Sequence, residues 1–99
     1  MKNMSLPHIV TVLRQALPLL IERYQVRSLG LFGSYVRNSQ HANSDLDLLV
    51  TFRAPPSLLK FIELENYLSD LIGVKVDLVM GDALKPRIGR QILKEVLPL

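Results

Sequence analysis

The sequence predicts a small mixed α+β fold, in which a sheet of about three strands is flanked by helices. Two observations predict this class. Apolar residues recur at three- and four-residue spacing in the first, middle and last parts of the chain, and three short runs rich in Leu and Val lie between them. The 99 residues are enough for one hydrophobic core but not for two. We therefore expect a single domain over residues 1–99.

The helical spacing predicts three helices. The first spans Leu6–Tyr24, and Pro18 is expected to kink or divide it. The second spans Leu58–Ile72 and stops at Gly73. The third spans residues 87–97, directly after a proline. The expected buried side of the second helix comprises Phe61, Ile62, Leu64, Leu68, Leu71 and Ile72.

Three strands are predicted at residues 26–33, 45–52 and 74–80. In the second strand, side-chain alternation places Asp45, Asp47 and Leu49 on one face. A helix connects the second strand to the third, so these two strands should be parallel neighbours. Their N-terminal ends then share one edge of the sheet, and Asp77 should lie close to the other two aspartates.

Composition excludes several classes of protein. The chain has no cysteine, which excludes disulfides, thiolate catalysis and cysteine-bound zinc, and which fits a cytoplasmic location. No apolar run approaches the ~20 residues that span a bilayer, and the N-terminus does not resemble a signal peptide. The net charge of +3 is mild, and the basic residues near Lys85 and Arg87 are more typical of a surface or partner contact than of nucleic-acid binding.

Three convergent carboxylates on a half-buried sheet are unfavourable, because like charges repel and burial costs solvation. Protonation, a cationic side chain or a metal ion would compensate. Hard oxygen ligands without His or Cys suit Mg²⁺ or Mn²⁺, and Mg²⁺ typically takes one or two carboxylates together with substrate phosphates. Two such ions held by shared aspartates would stabilise both the attacking and the leaving oxygens of an in-line displacement.

A Gly-Ser pair ends the first strand. Gly33 lets the backbone approach a ligand closely, and Ser34 supplies a hydroxyl and an amide for phosphate. Carboxylates that hold metal, combined with a glycine turn that holds phosphate, indicate a phosphoryl- or nucleotidyl-transfer site.

The pattern G-S, ten residues, then D-x-D resembles the signature of the nucleotidyltransferase superfamily that includes DNA polymerase β. The longer string "GSYVRNSQHANSDLDLLV" is similar to its minimal members, the MNT-domain proteins, which are antitoxin partners of HEPN-domain ribonuclease toxins. The departures are mild: Val36 and Asn38 stand where relatives often carry Ala and Gly.

This resemblance implies a nucleotidyltransferase fold and a role for each matching residue. Asp45 and Asp47 would bind two Mg²⁺ ions (or Mn²⁺), and Asp77 would act as a metal ligand or as the base for the acceptor hydroxyl. Gly33 and Ser34 would hold the triphosphate of ATP. The implied reaction is transfer of AMP to a tyrosine of the partner toxin.

Other interpretations of these residues stay open. Asp77 also fits a simple ion pair with Lys75, two residues away on the same face. Ser34 also fits a helix cap, which is compatible with phosphate binding. Arg37 fits a phosphate ligand or a cover for the sheet edge.

Three functions compete. The first is a Mg²⁺-dependent adenylyltransferase with an antitoxin role. The second is an interaction module that neutralises its partner by binding alone, and the third is a transferase acting on a small molecule. The apolar segment 17–21 exceeds what one face of a helix requires, which indicates a hetero-oligomer with the toxin, or at least a homodimer.

Overall fold

The computed structural model describes residues 5–33, 35–36, 45–81 and 86–99. In this part of the chain, three helices accompany one mixed sheet of four strands, which confirms the α+β class. The elements in chain order are α1 (Leu6–Tyr24), β1 (Val26–Phe32), β2 (Leu46–Phe52), α2 (Leu58–Ile72), β3 (Val76–Met80), α3 (Pro86–Glu95) and β4 (Leu97–Pro98).

The first two helices have the predicted bounds. The Ser57 hydroxyl accepts the Lys60 N–H at 3.2 Å at the start of α2, and Gly73 ends the helix at φ 81°. Of the two expected effects of Pro18, a kink or a division of the first helix, the division is wrong, since α1 continues through the proline. Leu13 and Leu20 are fully buried on either side of the proline, so tertiary packing holds both halves of the helix on the core despite the lost backbone hydrogen bond.

The sheet has the strand order β3-β2-β1-β4. The predicted parallel pairing of β2 with β3 is confirmed, and β1 is antiparallel to both of its neighbours. The prediction of about three strands omits β4, and the prediction that the last helix continues to Leu97 is wrong. That helix ends at Glu95, and the chain then returns to the sheet.

Backbone pairing explains this early end of α3. Leu97 and Pro98 pair with Leu31 and Gly30 of β1, and the Leu99 N–H donates to the Leu29 carbonyl at 2.9 Å. A Cβ atom at Gly30 would lie 2.6 Å from Cγ2 of Val96, so only glycine allows this close approach. The two-residue strand is too short to leave a periodic pattern in the sequence.

The helices α1 and α2 cover one face of the sheet. Side chains from both helices and from β1, β2 and β3 form one buried cluster. The predicted buried side of α2 is right for Leu64, Leu68 and Ile72 but wrong for Ile62, which is 42% exposed. Within the residues that the structure describes, no helix combines the length and the apolar character needed to cross a membrane.

Candidate active site

The predicted carboxylates lie at the N-terminal ends of two adjacent parallel strands. Asp45 immediately precedes β2, Asp47 is its second residue, and Asp77 is the second residue of β3. Asp47 and Asp77 are direct register partners, and the Leu46 N–H donates to the Lys75 carbonyl at 2.9 Å just before them. The pairing that places the two carboxylates side by side is therefore fixed by backbone hydrogen bonds.

This pair lies on the face of the sheet opposite α1 and α2. Leu46 and Leu48 are fully buried in the core, so the intervening Asp47 projects from the other face. Phe32 of β1 is the register partner of Asp47 on its other side. The row Phe32–Asp47–Asp77 therefore crosses three strands, and Asp77 at its end is exposed.

Gly33 follows β1 directly and lies against the Asp47 carboxyl group. Its φ of 82° lies in the left-handed region that favours glycine. A Cβ atom at this position would come 2.9 Å from Cγ of Asp47 and closer still to one carboxylate oxygen. The Gly33 carbonyl accepts the Val36 N–H at 3.1 Å, which closes the turn. Ser34 and Arg37, the other predicted phosphate ligands, lie outside the described residues.

The Gly33 N–H donates to Oε1 of Glu95 at 3.3 Å. Glu95 is the last residue of α3, and sequence reasoning did not single it out. No motif or spacing relates the two positions, because they are 62 residues apart.

Two side chains of α2 hold the outer edge of β3 around Asp77. The Val76 N–H donates to the Ser69 hydroxyl at 3.0 Å, and the Leu78 N–H donates to the Glu65 carboxylate at 3.0 Å. Since β3 is an edge strand, these two amides would otherwise lack a partner in the sheet. Glu65 and Ser69 were not identified from the sequence. The available signal was the spacing of these two polar residues, four positions apart on the side of α2 that faces the sheet.

In the part of the chain that the structure describes, Lys75 and Asp77 do not form the ion pair that was the alternative role for Asp77. The predicted three-carboxylate cluster is also not preassembled. Among the described residues, no three His, Cys, Asp or Glu side chains are arranged to hold a metal ion together. The structure instead brings together two register partners, Asp47 and Asp77, with Asp45 one residue before β2.

This donor set still fits a hard divalent cation. Mg²⁺ typically binds one or two carboxylates and completes its coordination with water and substrate phosphates. Adjacent Asp47 and Asp77 supply such carboxylates, and the left-handed turn at Gly33 lies directly against Asp47. The arrangement is therefore suited to metal-assisted chemistry on a nucleotide phosphate, the class of phosphoryl- and nucleotidyl-transfer enzymes.

Comparisons with known proteins agree with this class. The family model of the nucleotidyltransferase domain matches residues 13–98. The chain is 48% identical over 97 residues to the protein adenylyltransferase MntA of Thermococcus cleftensis, and the match covers 98% of each protein. The chain therefore belongs to the nucleotidyltransferase domain family and, within it, to the minimal MNT enzymes.

Two solved structures support the same assignment. One, assigned as a minimal nucleotidyltransferase, superposes with a TM-score of 0.83 at 36% identity and covers all of both chains. The other is a crystal structure of a toxin–antitoxin with AMP-PNP, with a TM-score of 0.68 at 27% identity. That match covers 91% of this chain and 68% of the other.

Proposed function

We propose that this chain transfers AMP from ATP to a hydroxyl group of a partner protein and thereby acts as an antitoxin. The observation that carries the proposal is the register pairing of Asp47 with Asp77 beside the left-handed turn at Gly33. This arrangement puts two adjacent carboxylates, which suit metal ions, next to the glycine turn proposed to bind the polyphosphate. The relative named protein adenylyltransferase and the neighbour crystallised with AMP-PNP support the same reaction and substrate.

In this proposal Asp45, Asp47 and Asp77 hold Mg²⁺ ions, which would neutralise the phosphates and lower the barrier to attack on the α-phosphorus. Gly33, Ser34 and Arg37 bind the triphosphate. Asp77 is the most exposed of the three carboxylates, so it is the one best placed to meet the acceptor hydroxyl. The new bond joins that oxygen to the α-phosphorus, the bond to pyrophosphate breaks, and the hydroxyl proton leaves to a base.

The proposed acceptor is a tyrosine of a HEPN-domain toxin that forms a hetero-oligomer with this chain. A neighbour crystallised as a toxin–antitoxin supports a protein partner. The surface supports it too, because Leu58 and Leu59 at the start of α2 are 74% and 81% exposed, and Ile62 and Leu19 add to the exposed apolar area.

The test is labelling with ATP radioactive at the α-phosphate. The chain is incubated with Mg²⁺ and its candidate toxin partner, beside an Asp45→Asn/Asp47→Asn variant. Asp70→Asn, an exposed carboxylate on α2, is the matched control. We expect label on one protein band with the wild type and the control but not with the double variant, and mass spectrometry should place the added AMP on a tyrosine.

Two outcomes would contradict the proposal. If the wild type binds and neutralises the partner without labelling it, the chain works by binding alone. If a small-molecule acceptor takes the label and the protein does not, the acceptor class is wrong.

A further inference from the structure

Glu95 lies beside the Gly33 turn and begins the C-terminal segment Glu95–Leu99, which we call the C-terminal strap. Leu97 and Pro98 pair with β1, and the Leu99 N–H donates to the Leu29 carbonyl at 2.9 Å. Val96 packs on Gly30, where no Cβ interferes. Backbone pairing of its last three residues therefore fixes the strap against β1, which ends directly before Gly33.

The Glu95 carboxylate makes a specific contact at that strand end. Its Oε1 accepts the Gly33 N–H at 3.3 Å. The Asp47 carboxyl group lies against the Cα atom of the same glycine, whose φ is 82°. Gly33 is therefore held between two carboxylates, one of which belongs to the proposed metal site.

We propose that Glu95 is a positioning residue of the nucleotide site. By accepting the Gly33 N–H, it fixes the orientation of the Gly33 peptide and keeps the turn against Asp47 in the geometry that binds the triphosphate. A hydrogen bond to a charged acceptor is stronger than a neutral one, and a turn that is already ordered binds its ligand without the cost of ordering it. This inference rests on the proposed function, since the ligand is the nucleotide.

The same contact could instead oppose nucleotide binding, and removal of Glu95 would then change the dissociation constant in the opposite direction. If the nucleotide needs the Gly33 N–H for itself, Glu95 competes with phosphate and its removal tightens binding. The positioning role predicts weaker binding, so one measurement separates the two.

The experiment compares Glu95→Ala and Glu95→Gln with the wild type in the full chain. Glutamine keeps an oxygen that accepts an N–H, whereas alanine removes it. The matched control is Glu63→Ala, which also removes a hydrogen-bonding carboxylate. Glu63 accepts a hydrogen bond from the Tyr24 hydroxyl of α1 at 2.8 Å and does not contact Gly33. The dissociation constant of a non-hydrolysable ATP analogue with Mg²⁺ is measured by calorimetry.

We expect Glu95→Ala to weaken binding about tenfold, the loss of one hydrogen bond to a charged group. The dissociation constant of Glu95→Gln should stay within about threefold of the wild-type value, and that of Glu63→Ala should equal the wild-type value. In activity assays the KM for ATP should rise more than kcat falls. Tighter binding by either Glu95 variant, an unchanged dissociation constant in Glu95→Ala, or equal weakening in alanine and glutamine variants would overturn the positioning role.

A second readout does not depend on the nucleotide. In the nucleotide-free protein, hydrogen exchange of the Gly33 amide should accelerate in Glu95→Ala and stay slow in Glu95→Gln and the wild type. If the wild type binds no ATP analogue while this exchange pattern holds, the proposed function has failed but the contact between Glu95 and the turn stands. Unchanged exchange in Glu95→Ala would refute the contact itself.

Discussion

The carboxyl group of Asp47 lies against the Cα of Gly33, so closely that a Cβ on the glycine would come 2.9 Å from Cγ of the aspartate. This relationship joins the strand that would hold metal to the turn that would hold phosphate. It also makes Gly33 a position where a single methyl group should disrupt the site.

Gly33→Ala should therefore affect both activity and stability. The methyl group would displace the Asp47 carboxylate, and the left-handed φ of 82° would cost alanine about 1 kcal/mol. We expect adenylyl transfer to fall at least about tenfold, the effect of ~1.4 kcal/mol on the barrier. Gly73→Ala is the control, because it also has a left-handed φ but no atom within 4 Å of the added Cβ. It should lose similar stability in urea unfolding and keep its activity; equal activity losses in both would contradict this account.

Asp77→Asn should stabilise the metal-free protein. Like charges on directly paired residues of neighbouring strands repel each other, and the substitution removes one of them beside Asp47. Thermal unfolding in EDTA should show the variant melting slightly above the wild type.

After addition of Mg²⁺ and ATP, the wild type should melt above Asp77→Asn. Ligands that bind only the folded state add about 2.7 kcal/mol at a hundredfold excess over the dissociation constant, so the wild type should gain the larger increase in melting temperature. Asp70→Asn should behave like the wild type in both conditions. An equal gain for Asp77→Asn would mean that Asp77 does not contribute to the metal–nucleotide site.

Glu65→Ala should destabilise the fold through β3. The carboxylate accepts the Leu78 N–H at 3.0 Å, and its removal leaves this amide of a buried residue without a side-chain partner. We expect the free energy of unfolding in urea to fall by about 1–3 kcal/mol. Glu65→Gln should recover most of the loss, and the exposed neighbour Asn66→Ala should have little effect. A free energy of unfolding equal to that of the wild type would show that water replaces the contact.

Tyr24 should make stability depend on pH in the alkaline range. Burial and the hydrogen bond from its hydroxyl to the Glu63 carboxylate raise the pKa of Tyr24 above the ordinary value of 10.0. Because the folded state favours the neutral phenol, this stabilisation is complete below the unfolded pKa and is lost as the pH rises through the higher folded pKa.

Comparison with Tyr24→Phe separates this group from others that titrate at high pH. The difference in free energy of unfolding between wild type and variant should be constant from pH 7 to about pH 9. Above about pH 10 it should shrink, as urea titrations at stepped pH will measure. A difference that stays constant to pH 11.5, or grows, would contradict the direction of the pKa shift.

Much of this architecture could be predicted from the sequence alone. Hydrophobic periodicity set the bounds of α1 and α2, because each needs one apolar face on the sheet. The helical connection between β2 and β3 dictated their parallel pairing, and alternation then placed Asp47 beside Asp77. These are local patterns and short connections, which the order of residues specifies directly.

The remaining features were decided only by the tertiary structure. Leu97 and Pro98 pair with β1 as β4 because Gly30, which has no side chain, lets the C-terminal segment come close. The side chains of Glu65 and Ser69 accept the backbone amides on either side of Asp77. Ile62, which the helical spacing predicts to be buried, is exposed because α2 packs on the sheet through other residues.

The contact of Glu95 with Gly33 belongs to the same group and joins residues 62 positions apart. The sequence determined which residues are the candidates for a nucleotidyl-transfer site. The tertiary structure decided which side chains hold that site in place, because hydrogen bonds between distant segments depend on how the segments pack and leave no periodic trace in the order of residues.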